Sequence, residues 1–284
     1  MAGSRKEFHC EVLLDNSNAV ELLSVKTAFS KQKIKQAMQK GAVWLTDSKG
    51  THRLRRHSKK LVGGSTLHFY FDSQVLNEEV ADAKLICDEK DYSVWYKPRG
   101  MVSQGSKWGD YNAINRWVER NLKPQRPAFI VHRLDRFASG LILIAHKKKM
   151  AKALSDLFQQ KKIKKQYKAL VHGAFPQEKV TFRDEVGGKH AVTHVSLLKY
   201  GHSSNISLVQ VDIETGRKHQ IRYHLSNAGF PIVGDRLFSD KNIMLDLQLT
   251  AYKLSFISPI DGEKKEYLLE KKYQPCLDNV ENVQ

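Results

Sequence analysis

Cysteine is scarce in this sequence, and long apolar runs are absent. Its 284 residues include only three cysteines, Cys10, Cys87 and Cys276, which lie far apart and form no Cys-x-x-Cys pair. This spacing predicts neither a disulfide framework nor a zinc site and favours a reducing compartment. The N-terminus has no signal-peptide-like apolar segment, and the aliphatic runs are too short to cross a bilayer. We therefore expect a cytoplasmic protein without a membrane segment.

Several signatures of cofactor and metal chemistry are missing as well. The chain contains neither Gly-x-x-x-x-Gly-Lys-Ser/Thr nor Gly-x-Gly-x-x-Gly, so nothing in it predicts a nucleotide cofactor. His219 and His224 are too irregularly placed to indicate zinc. The Gly-x-Ser-x-Gly motif of serine hydrolases is also absent. We expect no cofactor and no metal.

Acidic residues are few in comparison with basic ones. Lys and Arg number 47 against 30 Asp and Glu, which gives a formal charge of +17 and a pI near 9.7. Ten basic residues and one acid lie between Lys31 and Lys60, and nine basic residues and one acid between Lys147 and Lys168. Two such stretches favour a polyanionic partner, namely nucleic acid. The alternatives are a basic enzyme that is merely soluble and, less favoured, an anionic membrane surface.

The first part of the chain predicts a small α+β domain over residues 1–75. Residues 31–45 indicate a short helix that ends near Gly41 and is followed by a strand. Gly63 and Gly64 then mark a turn before an alternating strand that ends near Phe71. A lysine-bearing helix beside a small sheet is suited to contact with a phosphate backbone. A solvated helix without a ligand is the alternative.

A polar, acidic linker is predicted at 76–83, and a second domain at 84–284. The run "SVWYKP" predicts a strand that ends at Pro98, and "NAINRWVERNL" predicts a helix. "LILIAHKK" has no alternation, so we expect a strand buried on both faces. "KKMAKALSDLFQQ" carries an apolar helical stripe that includes Met150 and Leu154. Because regular βαβ alternation is absent, the predicted class is α+β, with hairpin-like strand spacing.

Three polar segments at strand ends could carry chemistry. They are "HRLDRFASG", "KKQYKALVHG" and "ETGRKHQIRYHLSNAGFPIVGD". Asp135 beside a buried strand would be partly desolvated, and a guanidinium such as that of Arg222 would keep it ionised. Such a carboxylate can act as a nucleophile or a general base, and the phenol of Tyr167 could stack on a planar base. On the residues alone, an N-cap or surface ion-pair role for Asp135 remains equally open.

These segments resemble the signature motifs of the RluA family of RNA pseudouridine synthases. "HRLDRFASGLILIA", "KKQYKALVHG", "GRKHQIRYHLSNAGFPIVGDRLF" and "YKPRGMVSQG" each match a family motif, and together they span roughly 90–270 in family order. The N-terminal "KQKIKQAMQKGAVWL" and "LVGGSTLHFYF" resemble, over a shorter stretch, the S4 RNA-binding fold. The resemblance implies a mixed, mainly antiparallel central sheet with flanking helices, preceded by a small S4-like domain.

The resemblance also implies roles for individual residues. Asp135 would be the catalytic aspartate that starts the conversion of a uridine in rRNA or tRNA to pseudouridine, without cofactor or metal. Arg222 would pair with this carboxylate, for which the two parallel hydrogen bonds of a guanidinium fork are suited. Tyr167 would stack on the base and assist proton removal at C5, and Arg133 would hold the flipped-out nucleotide.

Further residues are expected to bind RNA. They are His132, Arg133, Arg136, Lys165, Arg217 and His219 in the second domain, and Lys31, Lys35, Arg53, Arg55 and Arg56 in the first. The chain departs from the family where Ala138 replaces the usual Thr and Phe137 stands beside it, which could alter the packing of the loop. We expect a monomer. A non-catalytic RNA-binding or ribosome-associated protein that retains the fold is the competing hypothesis, and a nucleic-acid hydrolase would need metal ligands or a Ser/His pair.

Overall fold

The computed structural model describes residues 5–239 and 245–278. The chain divides into two compact units, the first comprising Met1–Glu79 and Gln104–Arg120 and the second Val80–Ser103 and Asn121–Gln284. The sequence assigns 104–120 to the catalytic domain, whereas the structure groups this segment with the first unit. The functional division into an RNA-binding and a catalytic domain stays a prediction.

The first unit is built on a four-stranded antiparallel sheet in the order β1-β6-β3-β4, with β2 and β5 paired separately. Its strands are β1 (Arg5–Glu11), β2 (Ser17–Asn18), β3 (Val43–Asp47), β4 (Gly50–Arg53), β5 (Lys60–Leu61) and β6 (Thr66–Asp72). Its helices are α1 (Ala19–Thr27), α2 (Lys31–Gln39), α3 (Ser73–Asn77) and α4 (Ile114–Asn121), of which α4 extends one residue beyond the unit.

Local sequence explains the helices of this unit. α2 begins after Ser30, whose hydroxyl accepts a hydrogen bond from the Lys33 N–H, and it buries Ile34, Ala37 and Met38, as the spacing predicts. α1, which the sequence reading did not identify, begins at an Asn18 cap that accepts from the N–H groups of the first turn. The strands β3 and β6 turn Val43, Leu45, Leu67 and Phe69 towards the same core.

The second unit contains a ten-stranded sheet with the order β12-β13-β14-β11-β15-β10-β8-β7, while β16 pairs with β15 and β9 with β10. The strands are β7 (Lys84–Asp88), β8 (Tyr92–Lys97), β9 (Phe129–Ile130), β10 (Ser139–Ala145), β11 (Lys164–His172), β12 (Val180–Phe182), β13 (Thr193–Gly201), β14 (Ile206–Ile213), β15 (Leu249–Ile257) and β16 (Lys264–Leu268). The helices are α5 (Lys148–Gln159), α6 (Gln220–Asn227) and a 3₁₀ turn at Lys271–Tyr273. Among the described strands only β10 and β15 run parallel, so the predicted mixed, mainly antiparallel class with flanking helices is confirmed.

Two apolar clusters hold this sheet between its helices. α5 contributes Met150 and Leu154 to a cluster with β8, β10 and β15. α6 contributes Ile221 and Leu225 to a second cluster with β11, β13 and β14. All seven residues of β10 are buried, which confirms the prediction from its unbroken apolar run. In the described part of the chain, no helix has the length and apolarity needed to traverse a membrane.

The backbone at Ser139 and Gly140 is set by the parallel pairing of β10 with β15. Gly140 has a φ of +122° and pairs with Ala251. A Cβ on Gly140 would collide with the backbone carbonyl and amide of Ala251. Only glycine permits this approach, and it brings the end of the preceding loop, which carries Asp135, against the centre of the sheet.

Candidate active site

The three polar segments meet at one cleft of about 760 Å³ in the second unit. Asp135 lies in the loop between β9 and β10, Tyr167 on β11 and Arg222 on α6, and all three line the cleft. A loop, a strand and a helix of one unit thus supply the polar groups, so that a rigid scaffold positions the loop residue Asp135. Among the described residues, no group of three or more His, Cys, Asp or Glu side chains could hold a metal ion.

Asp135 faces two cationic or potentially cationic groups at intermediate distance. Its side chain is 17% exposed, with Oδ2 3.9 Å from Arg222 Nη1 and Oδ1 3.9 Å from His219 Nε2. Neither distance is short enough for a direct hydrogen bond. Burial lowers the pKa of His219, while the charge of Asp135 opposes that shift. The carboxylate therefore sits in a positive field while its oxygens stay available to a substrate.

The fork of Arg222 is directed at Asp235. Its Nε and Nη2 donate to the two oxygens of Asp235 at 2.7 and 2.6 Å, and the side chains are 7% and 0% exposed. Burial alone would raise the pKa of Asp235, but the hydrogen bonds from Arg222 and from the N–H groups of Leu237 and Phe238 hold it below its ordinary value. The expected bidentate pairing of Arg222 with Asp135 is therefore not the one in the structure, where a buried third group takes both bonds.

Asp235 is placed by the turn that precedes it. Gly234 has a φ of +77°, and a Cβ there would fall on the carbonyl of Asp246. The sequence reading did not single out Asp235, although the apolar run "PIVGD" ends in this one carboxylate. A lone acid that closes a buried run is the signal that could have identified it, because an unpaired buried charge is unfavourable.

Tyr167 lies with its side chain in the apolar cluster beneath the cleft. The residue is 5% exposed and adjoins a β-bulge, where the pairing of β11 with β15 shifts between Gln166 and Tyr167. Burial, reinforced by the negative charge of Asp135, raises the pKa of the phenol well above its ordinary value. The phenol is therefore neutral at pH 7 and can donate a hydrogen bond into the cleft.

A buried lysine, Lys97, holds the loop of Asp135 through a hydrogen bond to its backbone. Lys97 is fully buried, and its Nζ donates to the carbonyls of Pro98, Met101 and Arg136 at 3.0, 2.8 and 3.3 Å. Burial lowers the pKa of Lys97 to about 7, and the charge of Asp135 partly offsets that shift. The Ser103 hydroxyl also donates to the carbonyl of Leu134 at 2.7 Å. The residues on both sides of Asp135 are thus fixed by groups from another segment.

A single amide organises the loop at the other side of the cleft. The Gln220 oxygen accepts from the Thr215 hydroxyl and the Arg217 N–H at 2.7 and 3.0 Å. Its nitrogen donates to the Val192 carbonyl and the Thr193 hydroxyl at 3.0 and 2.9 Å. Gln220 therefore uses its full hydrogen-bonding capacity and holds the loop that presents His219 to Asp135. In the sequence, nothing beyond the "GRKHQIRYH" motif indicates this hydrogen-bond network.

The predicted RNA-binding residues of the second unit differ in their surroundings. His132, Arg133, Lys165, Arg217 and His219 line the cleft, whereas Arg136 is exposed beside the ring of Phe137. The His132 ring accepts from the Leu143 N–H at 2.9 Å, and burial lowers its pKa well below the ordinary value, so this ring is neutral. Burial also lowers the pKa of Lys165 to about 8.

The predicted RNA-binding residues of the first unit include both engaged and open side chains. Arg53 and Arg55 both contact Asp110, so part of their charge is neutralised within the unit. Lys31 pairs with Glu21 at 3.1 Å. Lys35 and Arg56 are exposed. The ion pairs to Asp110 could not be anticipated, because that acid belongs to the segment 104–120.

Comparison with solved structures identifies the fold. The structure of human RNA pseudouridylate synthase domain containing 1 matches with a TM-score of 0.57 and 20% identity, over 72% of this chain and 96% of that one. The chain therefore has the pseudouridine synthase fold. The family model described as RNA pseudouridylate synthase matches residues 91–227, which include Asp135, Tyr167 and Arg222.

Sequence relatives identify the family. The uncharacterized RNA pseudouridine synthase YhcT of Bacillus subtilis is 36% identical over 204 residues, which cover 65% of this chain and 67% of that protein. Ribosomal large subunit pseudouridine synthase C of Buchnera aphidicola is 32% identical over 208 residues, 66% of this chain and 60% of that protein. The chain belongs to the RNA pseudouridine synthase family, whose members are isomerases.

Proposed function

We propose that this enzyme converts specific uridines of structured RNA to pseudouridine, with Asp135 as the catalytic residue. The observation that carries the proposal is the convergence of Asp135, Tyr167 and Arg222 on one cleft. In this reaction the bond between N1 and C1′ breaks and a bond between C5 and C1′ forms, while C5 loses a proton and N1 gains one. Within residues 5–239 and 245–278 no direct hydrogen bond reaches the half-buried carboxylate of Asp135, which suits the first step because its lone pairs are then available.

The other residues of the cleft have complementary roles in this proposal. Arg222, held by Asp235, keeps a positive charge near Asp135 without occupying its oxygens. Tyr167 stacks on the detached uracil, and its neutral phenol assists proton removal at C5 as a hydrogen-bond donor rather than as the base. A stacked uridine cannot reach the cleft, so the target must be flipped out. We assign the stabilisation of the flipped nucleotide to Arg133, and contacts with RNA to His132, Lys165, Arg217, His219 and the exposed Arg136.

We further propose an RluA-type enzyme whose first unit is an S4-like RNA-binding domain. The ordered RluA-like motifs and the helix pair α1–α2 packed on a small sheet support this assignment. Lys31, Lys35, Arg53, Arg55 and Arg56 are its proposed RNA-contacting residues. The substrate is rRNA or tRNA, and the name of the Buchnera relative favours rRNA. We expect a cytoplasmic monomer, a state that light scattering would measure.

The test is turnover of an RNA transcript labelled with tritium at C5 of uridine. Asp135→Asn keeps the shape of the side chain but loses its charge, so we expect tritium release to be abolished while RNA affinity stays within a few-fold. Asp212→Asn is the matched control, because Asp212 lines the same cleft but bonds to the amides of Gln166 and Gln210. Substantial turnover by the Asp135 variant would refute the catalytic assignment.

The same experiment separates the enzyme from a non-catalytic RNA-binding protein. A wild-type protein that binds RNA yet releases no tritium from any transcript would favour the latter. Mapping pseudouridines in total RNA from cells with and without the gene identifies the substrate. A site present only in cells that carry the gene would distinguish rRNA from tRNA directly.

A further inference from the structure

One face of the sheet in the first unit carries aromatic rings where polar residues are usual. The other face buries Leu67, Phe69 and Val43 under the helices, so the alternate residues of β1, β3, β4 and β6 point away from that core. We name as the aromatic face the five rings that lie on these positions or beside them: His9, Trp44, His68, Tyr70 and Trp108. Eight of the twelve face positions of these strands are charged residues or threonines, as is usual for a sheet face open to solvent, and the rings stand among them.

The five rings form a connected surface. His9 and His68 lie 5.1 Å apart between ring centroids. His68 and Tyr70 stack nearly parallel, with centroids 6.4 Å apart and 10° between planes. Trp108 meets the Tyr70 ring edge-on at 5.9 Å. Trp44 pairs with His68 across the strands, and its indole N–H donates to the Lys107 carbonyl at 3.0 Å, which fixes the ring.

Three cations lie over these rings. The guanidinium of Arg53 is 4.2 Å from the Trp44 centroid, and Lys107 Nζ is 4.8 Å from that of Tyr70 and 5.0 Å from that of Trp108. Arg5 approaches Trp108 at 5.5 Å. Each cation also has a carboxylate partner: Arg53 has Asp110, Lys107 has Glu7 and Arg5 has Asp72. The face is therefore rich in π-surface and cation–π contacts but carries little uncompensated charge.

The side chains of the aromatic face indicate which class of ligand, protein, membrane or RNA, it could bind. The face positions of the four strands carry no aliphatic side chain. They are Arg5, Glu7, His9, Glu11, Trp44, Thr46, Thr51, Arg53, Thr66, His68, Tyr70 and Asp72. Membrane-binding faces place Leu and Phe beside Trp, and protein interfaces set their Tyr, Trp and Arg in a core from which charged residues such as Glu, Asp and Lys are depleted. Rings interleaved with arginine and histidine instead match unpaired bases, which stack on aromatic rings and on guanidinium planes.

We propose that the aromatic face is a second RNA site, which binds unpaired nucleotides of the substrate by stacking their bases on Trp44, Tyr70 and Trp108. Lys107 is exposed, and an exposed ion pair stabilises so little that a base can displace its ammonium from the rings. The site lies on the side of the sheet opposite α2. It requires an RNA ligand, which the family supplies, but it is independent of the catalytic role of Asp135.

Intrinsic fluorescence provides a local test. The four tryptophans are Trp44, Trp95, Trp108 and Trp117, and none lines the catalytic cleft. A twelve-nucleotide oligouridylate should quench the wild-type emission saturably, whereas RNA duplex and heparin should not. The quenching should be lost in the double variant Trp44→Phe, Trp108→Phe. No quenching of the wild type, or equal quenching by heparin, would overturn the proposal.

Affinity measurements give a second readout that catalysis does not affect. In oligouridylate binding, Tyr70→Ala and Trp108→Ala should each lose about tenfold in affinity, while Tyr70→Phe stays within about threefold. Because stacking releases few counterions, the slope of log K against log salt should not change. Lys35→Ala should instead lower that slope by about 0.7, as expected for one lost phosphate contact.

The matched control is Tyr111→Ala, since Tyr111 is also an exposed ring in the first unit under an arginine but lies outside the aromatic face. It should bind like wild type. If an alanine variant unfolds, Tyr70→Leu and Trp108→Leu keep apolar volume without a π-system and should show the same loss. Leucine variants that bind like wild type would refute stacking. Failure of this test leaves tritium release intact, whereas failure of the catalytic proposal leaves oligouridylate quenching intact.

Discussion

Arg222→Lys tests the buried arrangement behind Asp135. The substitution keeps the positive charge but removes the fork, which makes two short bonds to Asp235. Lysine can keep one of these charge-assisted bonds, and the loss of the other should cost about 2 kcal/mol of unfolding free energy. Because a lysine anchored on Asp235 has no second nitrogen at the Nη1 position, 3.9 Å from Asp135, we expect the isomerisation rate to fall at least about 100-fold, equivalent to roughly 2.7 kcal/mol of barrier.

The assay is single-turnover tritium release at saturating enzyme, with urea unfolding and circular dichroism on the same preparations. Arg126→Lys is the control, because Arg126 also pairs with an aspartate, Asp88, in the second unit but does not line the cleft. It should leave the rate unchanged. A rate for Arg222→Lys within about threefold of wild type would refute the reasoning. A stability loss alone would assign Arg222 a purely structural role.

Three further predictions concern the groups around the cleft. Lys97→Met leaves the carbonyls of Pro98 and Met101 without their side-chain donor, while the Arg136 carbonyl keeps the Gly100 N–H. The substitution should lower the unfolding free energy by about 3 kcal/mol and reduce the rate more than RNA affinity, as urea unfolding and single-turnover kinetics would show. The pKa of Asp235 is lower in the folded protein than in the unfolded chain. Its ionised form therefore stabilises the fold above the unfolded pKa, and this stabilisation is lost as the pH falls through the folded pKa. Urea unfolding between pH 5 and 2 should show a fall in the free energy of unfolding, and Asp235→Asn should make that fall smaller. If the ammonium of Lys165, with its pKa of about 8, binds RNA, kcat/KM should fall as pH rises through about 8, and Lys165→Arg should remove that fall.

RNA contacts of the first unit are better tested by single substitutions than by a deletion. Deleting residues 1–75 would remove most of the unit to which 104–120 belongs. Trp108 and Asp110 would then lose Tyr70 and Arg53, which they contact. A weaker RNA affinity after that deletion could not be attributed to lost phosphate contacts. Single substitutions such as Lys35→Ala avoid this ambiguity.

Local patterns were sufficient to predict much of the second unit. The unbroken apolar run of β10 and the helical stripe of α5 each depend on residues close in sequence, and both elements occur as expected. The three residues of the candidate site could be named because each lies in a motif with polar groups at a strand end or helix start. Their meeting in one cleft depends on sheet order, which only the resemblance implied.

Contacts between distant segments could not be predicted in the same way. Lys97 reads locally as the last residue of a strand, and nothing near it shows that its ammonium will bond to the carbonyl of Arg136, 39 residues away. Asp235 is likewise 13 residues from Arg222, across a turn that depends on Gly234. A charged residue in an apolar run signals that a partner is needed, but the chain's path determines which one.

These long-range contacts explain how the carboxylate of Asp135, just before a buried strand, can stay available to a substrate. A guanidinium bonded directly to Asp135 would occupy the lone pairs that the proposed reaction requires. By pairing Arg222 with Asp235, the protein keeps a net neutral buried pair whose outer nitrogen still faces Asp135 at 3.9 Å. Lys97 holds the loop through the carbonyl of Arg136 rather than through the carboxylate. Asp135 is thus positioned through its backbone and influenced by nearby positive charge, while both of its oxygens face the cleft without a hydrogen bond from the described residues.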